Sequence, residues 1–283
     1  MKRFFVVFLV VGLITTIFNE QQIFAQEETV NDGVYIKENI PGKRPVPYRQ
    51  LREADIMWSK KIWQVIDCRE KMNHPLYFPL EGEVDDRRSL MNLFMYGIRN
   101  EGLIVYKDDQ FQEIMTLDEV LEKLDALPKT QQVTNPETGE LEEKVIAGSI
   151  NYDEISQYEI KEQWYFDKQH STMRVRILGI CPIRRYVDVE TEQARKERTF
   201  WVYFPSARHL LANQEVFNRH NDAQRISFDD LFFQRRFNSY IIAESNVYDN
   251  RPISTYMQGV NNLLEAEKIK QDLFEIEHDL WEY

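Results

Sequence analysis

Five histidines, two cysteines and several adjacent acidic pairs are the residues of this chain best suited to chemistry. A metal site needs ligands brought together by short spacing, as in the H-E-x-x-H and C-x-x-C frames. His74, His170, His209, His220 and His278 are scattered, and His209 and His220 lie eleven apart, where one helical face wants three or four. No G-x-S-x-G nucleophile elbow, P-loop or G-x-G-x-x-G phosphate cradle occurs in the sequence. Asp85-Asp86, Asp108-Asp109 and Asp229-Asp230 offer paired carboxylates, and a glycosidase can use carboxylates far apart in the chain. With 47 acidic residues, however, neighbouring pairs arise by chance. The expectation is therefore a chain without catalytic residues, cofactor or metal. Two other classes stay open: an exported hydrolase acting on peptidoglycan or another glycan, and a periplasmic ligand-binding protein. Both require a deep polar pocket with perturbed carboxylates, whereas an adaptor requires broad surfaces.

Cys68 and Cys181 admit two readings. A disulfide between them would staple the N-terminal to the C-terminal half in an oxidising compartment. Two buried free thiols fit the apolar patterns around each equally well.

The compartment is suggested by the first residues. Lys2 and Arg3 precede an apolar run, Phe4 to Phe18, broken only by Gly12, Thr15 and Thr16, and Ala25 offers a small residue for cleavage. This is the pattern of a secretory signal peptide over residues 1–25. An uncleaved anchor is the alternative, although fifteen apolar-run residues are short for a bilayer core. No Cys lies near the cleavage point, so the exported chain is expected to reach a membrane only through a partner.

Charge narrows the partners. The chain carries 35 basic and 47 acidic residues, net −12; losing Lys2, Arg3 and Glu20 with the leader leaves 33 and 46, net −13. That sign disfavours nucleic acid, whose binding rests on neutralising phosphates. The charge is also unevenly spread. Residues 26–157 have 16 basic and 26 acidic side chains, residues 174–236 have 12 and 8, and residues 237–283 have 3 and 9. A positive middle between negative ends suits head-to-tail contact between copies, which closes into rings or runs on as filaments. Arg184, Arg185, Arg235 and Arg236 are the candidate contacts in the basic block, and reversing them is expected to weaken assembly and leave the fold intact. Aromatic anchors add Tyr48 in the arm and Trp281 and Tyr283 at the chain end.

These residues must be positioned by elements that the periodicity partly reveals. Hydrophobic residues make up 43% of the chain, ample for a packed core. Residues 26–50, with Pro41, Pro45 and Pro47, read as an extended arm. Residues 51–128 read as helix-rich. Trp58, Ile62 and Val65 fall at i, i+4 and i+7 in a first helix from Asp55 to Cys68, with Trp58 and Trp63 as core. A second helix carries Leu90, Leu93 and Phe94 and ends near Gly102, and a short strand covers Leu103 to Tyr106. A third helix is entered by a capping box at Thr116 and Glu119. Residues 129–157 read as a polar loop or hairpin tip. In residues 158–283 the period changes to two: Tyr158–Phe166, Met173–Ile180 and Thr199–Phe204 form an antiparallel meander. Helices follow at Ser206–Phe217 and, behind a second box at Ser227 and Asp230, at Ser227–Tyr240. A long amphipathic helix from about Ile253 places Ile269, Leu273, Ile276 and Leu280 on one stripe. The fold class is α+β, with a mostly helical N-terminal half and a C-terminal meander with packed helices.

Three strings near the C-terminus are distinctive: Ser245-Asn246-Val247-Tyr248-Asp249-Asn250-Arg251-Pro252-Ile253, Leu263-Leu264-Glu265-Ala266-Glu267-Lys268-Ile269-Lys270, and Glu277-His278-Asp279-Leu280-Trp281-Glu282-Tyr283. With the segment Asp55–Cys68 and Asp85-Asp86-Arg87-Arg88, they resemble the gliding-motility GldN (PorN) family of the type IX secretion system of the Bacteroidetes. The resemblance covers nearly all of the exported chain. It implies a non-catalytic periplasmic component that forms a ring with the lipoprotein GldK/PorK beneath the outer membrane. It also implies contacts with a PorG-like outer-membrane protein and a GldL/GldM-like motor. No active-site motif comes with it.

Overall fold

The computed structural model describes residues 42–80, 82–84, 86–134, 141–146, 148–188, 192–219, 221 and 223–279. Among them run twelve strands: β1 (Ile56–Asp67), β2 (Val105–Tyr106), β3 (Ile114–Met115), β4 (Lys129–Thr134), β5 (Leu141–Ile146), β6 (Ile155–Asp167), β7 (Thr172–Val187), β8 (Ala194–Arg198), β9 (Trp201–Tyr203), β10 (Glu215–Val216), β11 (Ile226–Ser227) and β12 (Tyr240–Glu244). The α-helices are α1 (His74–Tyr77), α2 (Leu90–Tyr96), α3 (Leu117–Lys123), α4 (Phe204–Asn213), α5 (Phe228–Phe233) and α6 (Val260–Asp279). Eight strands form one antiparallel sheet in the order β12-β1-β6-β7-β9-β2-β3, with β8 also paired to β7. The fold is α+β, and the expected meander stands at its centre as β6-β7-β9.

The segment Asp55–Cys68 corrects the sequence reading, because it holds strand β1 instead of a helix. β1 lies between β12 and β6, with Trp58 opposite Phe166, Ile62 opposite Glu162 and Ile66 opposite Tyr158. Its second half, Ile62 to Asp67, is buried at every position. A strand covered on both faces carries apolar side chains at consecutive positions, and Ile62-Trp63 with Val65-Ile66 thereby imitate a helical stripe. The β-branched and aromatic content of the segment is the signal that outweighs the period. Trp63 is buried as expected and Trp58 is half-buried.

Helix starts were more legible. Thr116 and Ser227 each accept a hydrogen bond from the backbone of the residue three ahead, and Glu119 and Asp230 return one, so both capping boxes form. Helix α2 continues through a π turn, Gly97–Glu101, and stops at left-handed Gly102, φ 66°. Three helices end or begin short of expectation. The one expected over Ser206–Phe217 runs from Phe204 to Asn213, because Glu215–Val216 pairs with β11 as β10. The one behind Ser227 ends at Phe233, after which Arg235 turns left-handed (φ 51°) and Tyr240–Glu244 pairs with β1. At the C-terminus, Ile253–Thr255 is a single 3₁₀ turn, and α6 begins only after left-handed Gly259, φ 61°. The segment expected as a polar loop or hairpin tip contains the paired strands β4 and β5.

Alternation of side chains sets the two faces of the sheet. One face carries the main core, where Tyr158, Ile160, Ile180 and Val202 meet Leu93 and Phe94 of α2, Val120 of α3, Leu211 of α4 and Phe232 of α5. Farther along the same face, Ile62 and Ile241 pack against Ala266, Ile269 and Leu273 of α6. Two members of the expected stripe are thus buried; Ile276 is half-buried and Leu280 lies outside the described residues. The opposite face holds Trp63, Cys181, Trp201 and Ala243, and among the described residues a loop residue, Phe111, and no helix packs against it.

Candidate functional site on the helix-free face

Strand register builds this face row by row. Ala243, Trp63, Lys161, Gly179 and Tyr203 are successive neighbours across β12, β1, β6, β7 and β9. Beside them run Val65, Glu159 and Cys181, and then Asp67, Gln157, Ile183 and Arg198. Charged groups buried in this way must be paired, and they are. Lys161 Nζ donates to the carbonyl of Asp109 at 2.6 Å and to its carboxylate at 3.1 Å, beneath the rings of Trp63 and Phe111. Trp63 Nε1 donates to the same carboxylate at 3.2 Å. Glu159, 2% exposed, accepts from Arg198 Nε at 2.7 Å and Nη2 at 3.0 Å. Burial raises the Glu159 carboxyl above its ordinary value, and the Arg198 guanidinium only partly opposes that.

Over these pairs opens a cleft of about 730 Å³. One wall is the turn Asp108–Phe111 and the other the loop Asp249–Pro252. Both walls contain left-handed backbone: Phe111, Asp249 and Asn250 have φ of 59°, 54° and 57°. Asp and Asn tolerate that conformation, whereas an aromatic residue there is an outlier that costs free energy. Phe111 is held by edge-on contacts with Tyr106, Trp201 and Tyr203 at 5.5, 6.4 and 5.2 Å. Gly179 makes room for it, since a Cβ at that position would lie 2.5 Å from Phe111 Cζ.

Toward β8 the face becomes cationic. Asp67 accepts from the Arg69 backbone and side chain and from Gln157 Nε2 at 2.9 Å, and the Arg69 bonds hold its carboxyl far below the usual range. Next to them Arg185 and Lys196 stand directly opposite each other on β7 and β8. Like charges in that relation destabilise a sheet. The Lys196 ammonium is pushed down, first by burial and then by Arg185 and Arg69. Toward β8, Arg69, Arg185, Lys196 and Arg198 outnumber Asp67 and Glu159, while Asp108, Asp109 and Asp249 line the cleft beside Lys61 and Arg198, in a chain of net −12.

Among the described arginines expected as contacts, Arg185 lies on this face. Arg184 points to the other side, where it bonds to Glu154 and to the Lys123 carbonyl and covers Tyr186. Arg235 forms two hydrogen bonds with the fully buried Glu162, at 2.7 and 3.3 Å. Reversing either charge would set it against its partner carboxylate and should destabilise the fold, so these two arginines are not the free surface charges expected. Arg236 is exposed. Tyr48 lies between the guanidinium groups of Arg176 and Arg208, 4.9 and 4.2 Å from its ring, and burial raises its hydroxyl. The described part of the arm is fastened to its own fold by Lys43 on Asp230, by Arg49 on His170 and by Arg176 on the Arg49 carbonyl. Trp281 and Tyr283 lie outside the described residues, as do the leader and residues 26–41.

The disulfide reading is also corrected. Cys68 and Cys181 are free and buried, Cys68 in the main core and Cys181 beside Trp63 and Trp201, with the sheet between them. Burial pushes the Cys68 thiol up to about 12 and raises Cys181 as well. Sequence reasoning missed Arg69, Lys196, Arg198 and the cleft. The alternation Lys196-Glu197-Arg198 was a signal for β8, but five residues are too few to carry a strand assignment alone. Among the described residues, no group of three or more His, Cys, Asp or Glu side chains is placed to hold a metal, and no helix is long and apolar enough to cross a membrane.

The loop Asp249–Pro252 belongs to the string that stood out in the sequence, so the distinctive residues and the cleft coincide. Residues 51–282 match the family described as gliding motility associated protein GldN. No curated protein matches the chain. The match spans every strand of the sheet and every helix described above, and the chain belongs to the GldN family, whose members are associated with gliding motility and type IX secretion.

Proposed function

We propose that the protein is a non-catalytic structural adaptor of the type IX secretion machinery, and of motility in cells that glide. In this reading it is exported to the periplasm by its apolar leader and held at the outer membrane by a GldK/PorK-like lipoprotein. With that lipoprotein and with copies of itself it builds a ring, which a PorG-like outer-membrane protein and a GldL/GldM-like motor contact. The observation that carries the non-catalytic part is the pairing inside the cleft. A hydrolase needs an acid and a base turned toward the substrate. Here Asp108 and Asp249 stand on opposite walls, and the other two carboxylates of the cleft are both taken up, Glu159 by two nitrogens of Arg198 and Asp109 by Lys161 and Trp63. Those groups hold the face together and present a charged surface to a partner.

Co-expression with the lipoprotein, purification through a tag on one protein and size analysis test the reading. The expected result is a complex much larger than one copy of each, in which each protein protects the other from proteolysis. Separate, monomeric elution without mutual protection would refute it.

A further inference from the structure

We infer that the helix-free face of the sheet and the outward stripe of α6 are complementary halves of one contact between copies of this chain. This deepens the self-association in the proposed function by naming its surfaces.

Helix α6 turns Ala266, Ile269 and Leu273 inward. At 3.6 residues per turn, Val260, Leu264, Gln271 and Phe274 fall on its outer side. Val260, Leu263, Leu264 and Phe274 are 71%, 61%, 63% and 66% exposed. Four large apolar side chains so exposed on one helix mark an interaction surface in preference to a solvated face. They stand among the exposed Glu267, Asp272, Glu275 and Asp279, against Lys268 and against Lys270, which lies 3.8 Å from Glu267. The stripe is apolar and acidic together.

The helix-free face offers the matching chemistry. Arg185 and Lys196 form a like-charged cross-strand pair that Asp67 offsets only in part, with Arg69 and Arg198 alongside. At the cleft, Tyr203 is 37% exposed beside Phe111, and Ile114 on β3, opposite Tyr106, is 62% exposed. An anionic stripe laid over Arg185 and Lys196 turns a destabilising pair into a binding feature.

Geometry then fixes the kind of contact. The core of α6 rests on Ile62, Ile241, Trp58 and Trp164, so the helix lies on the side of the sheet opposite Trp63, Lys161 and Arg198. Helix against helix would oppose acids to acids, and face against face cations to cations. Only helix against face pairs opposite charges. Because the two surfaces lie on opposite sides of one molecule, the contact is heterologous and propagates from copy to copy.

The test uses the purified protein alone, so that failure to bind the lipoprotein leaves it untouched. Sedimentation velocity over a range of concentrations is run on the parent, on Arg185→Glu/Lys196→Glu, on Glu267→Lys/Glu275→Lys and on all four changes together, with thermal unfolding checked for each. The parent should self-associate, and should do so less at about 1 M salt, where the Debye length falls to about 3 Å. Each two-site variant should lose roughly tenfold or more in association, and the four-site variant should return to within about threefold of the parent. Should a reversal disturb folding, Lys196→Gln and Glu275→Gln, each lowering association severalfold, replace it. A parent monomeric at every concentration, variants that associate as the parent does, or a four-site variant no better than either pair overturns the inference. Association retained by the two-site variants would also show that any copy-to-copy contact uses other surfaces.

Discussion

Removing the Arg235 side chain should destabilise the fold far more than neutralising its partner, Glu162. The Glu162 carboxylate is 0% exposed and accepts four hydrogen bonds. Arg235 supplies two, at 2.7 and 3.3 Å, Gln64 Nε2 one at 3.0 Å and Trp164 Nε1 one at 3.1 Å. Arg235→Ala leaves a buried anion with only neutral donors. Breaking a buried pair from one side costs about 3–5 kcal/mol. The Arg235 side chain is 36% exposed, so solvent screens part of the pairing and the lower end, about 3 kcal/mol, applies. The left-handed backbone at residue 235 is common to Arg and Ala and cancels. Glu162→Gln instead keeps an acceptor for Gln64 and Trp164 and lets the partly exposed guanidinium return to water, at about 1 kcal/mol. The double variant no longer buries an unpaired charge and should lie about 2 kcal/mol below the parent, well short of additivity. Urea unfolding followed by tryptophan fluorescence measures all four proteins. An Arg235→Ala cost no larger than that of Glu162→Gln, or strict additivity, would refute the reasoning and return Arg235 to the surface role its sequence suggested.

Gly179→Ala should destabilise by about 1–2 kcal/mol and shift the fluorescence of Trp201, because the new methyl displaces the Phe111 ring against it. Unchanged stability and spectrum would mean that the wall of the cleft is not packed as described. Cys68 and Cys181 should resist a thiol reagent in the native protein and both react after unfolding without reductant; failure to react when unfolded would indicate a disulfide. Glu159, with its carboxyl raised by burial, ionises in the unfolded chain first, so its contribution to stability is lost as pH rises above about 4.3. The unfolding free energy of Glu159→Gln relative to the parent should therefore improve from about pH 4 toward neutrality, and a constant or falling difference would contradict the burial effect.

Legibility followed the range of the interactions involved. Both capping boxes lie within four residues, and both were visible because the donor, the acceptor and the following apolar run are local. The meander was visible for the same reason: β6 and β7 are joined by a short turn and alternate in place. β1 was not, because its partners are β6 and β12, about a hundred and nearly two hundred residues away, and burial on both faces erased the period that would have marked it. Helix α5 stopped short of its expected end for a related reason. Tyr240–Glu244 is claimed by β1, and no local pattern announces that pairing.

The same distinction decides what could be known of the site. The block of basic residues was legible as a count, and the count was sound, but a count does not say which side of a strand each residue takes. Arg184 and Arg185 are neighbours in sequence and have opposite fates: one is bonded to Glu154, and the other, half-buried, stands opposite Lys196. Period-two alternation makes that difference unavoidable once β7 is a strand. Only the register with β8, however, reveals that two cations meet. The face thus arises from β1, β6, β7 and β8 together, and its charge belongs to no single segment. A loop chosen for its unusual residues, Asp249–Pro252, closes one side of the cleft, where left-handed Asp249 and Asn250 sit opposite left-handed Phe111. Asp and Asn tolerate that conformation, and Asn246 and Asn250 close their loop with local hydrogen bonds, so this wall is an ordinary turn. Phe111 is the outlier, and the rings of Tyr106, Trp201 and Tyr203 hold it in place.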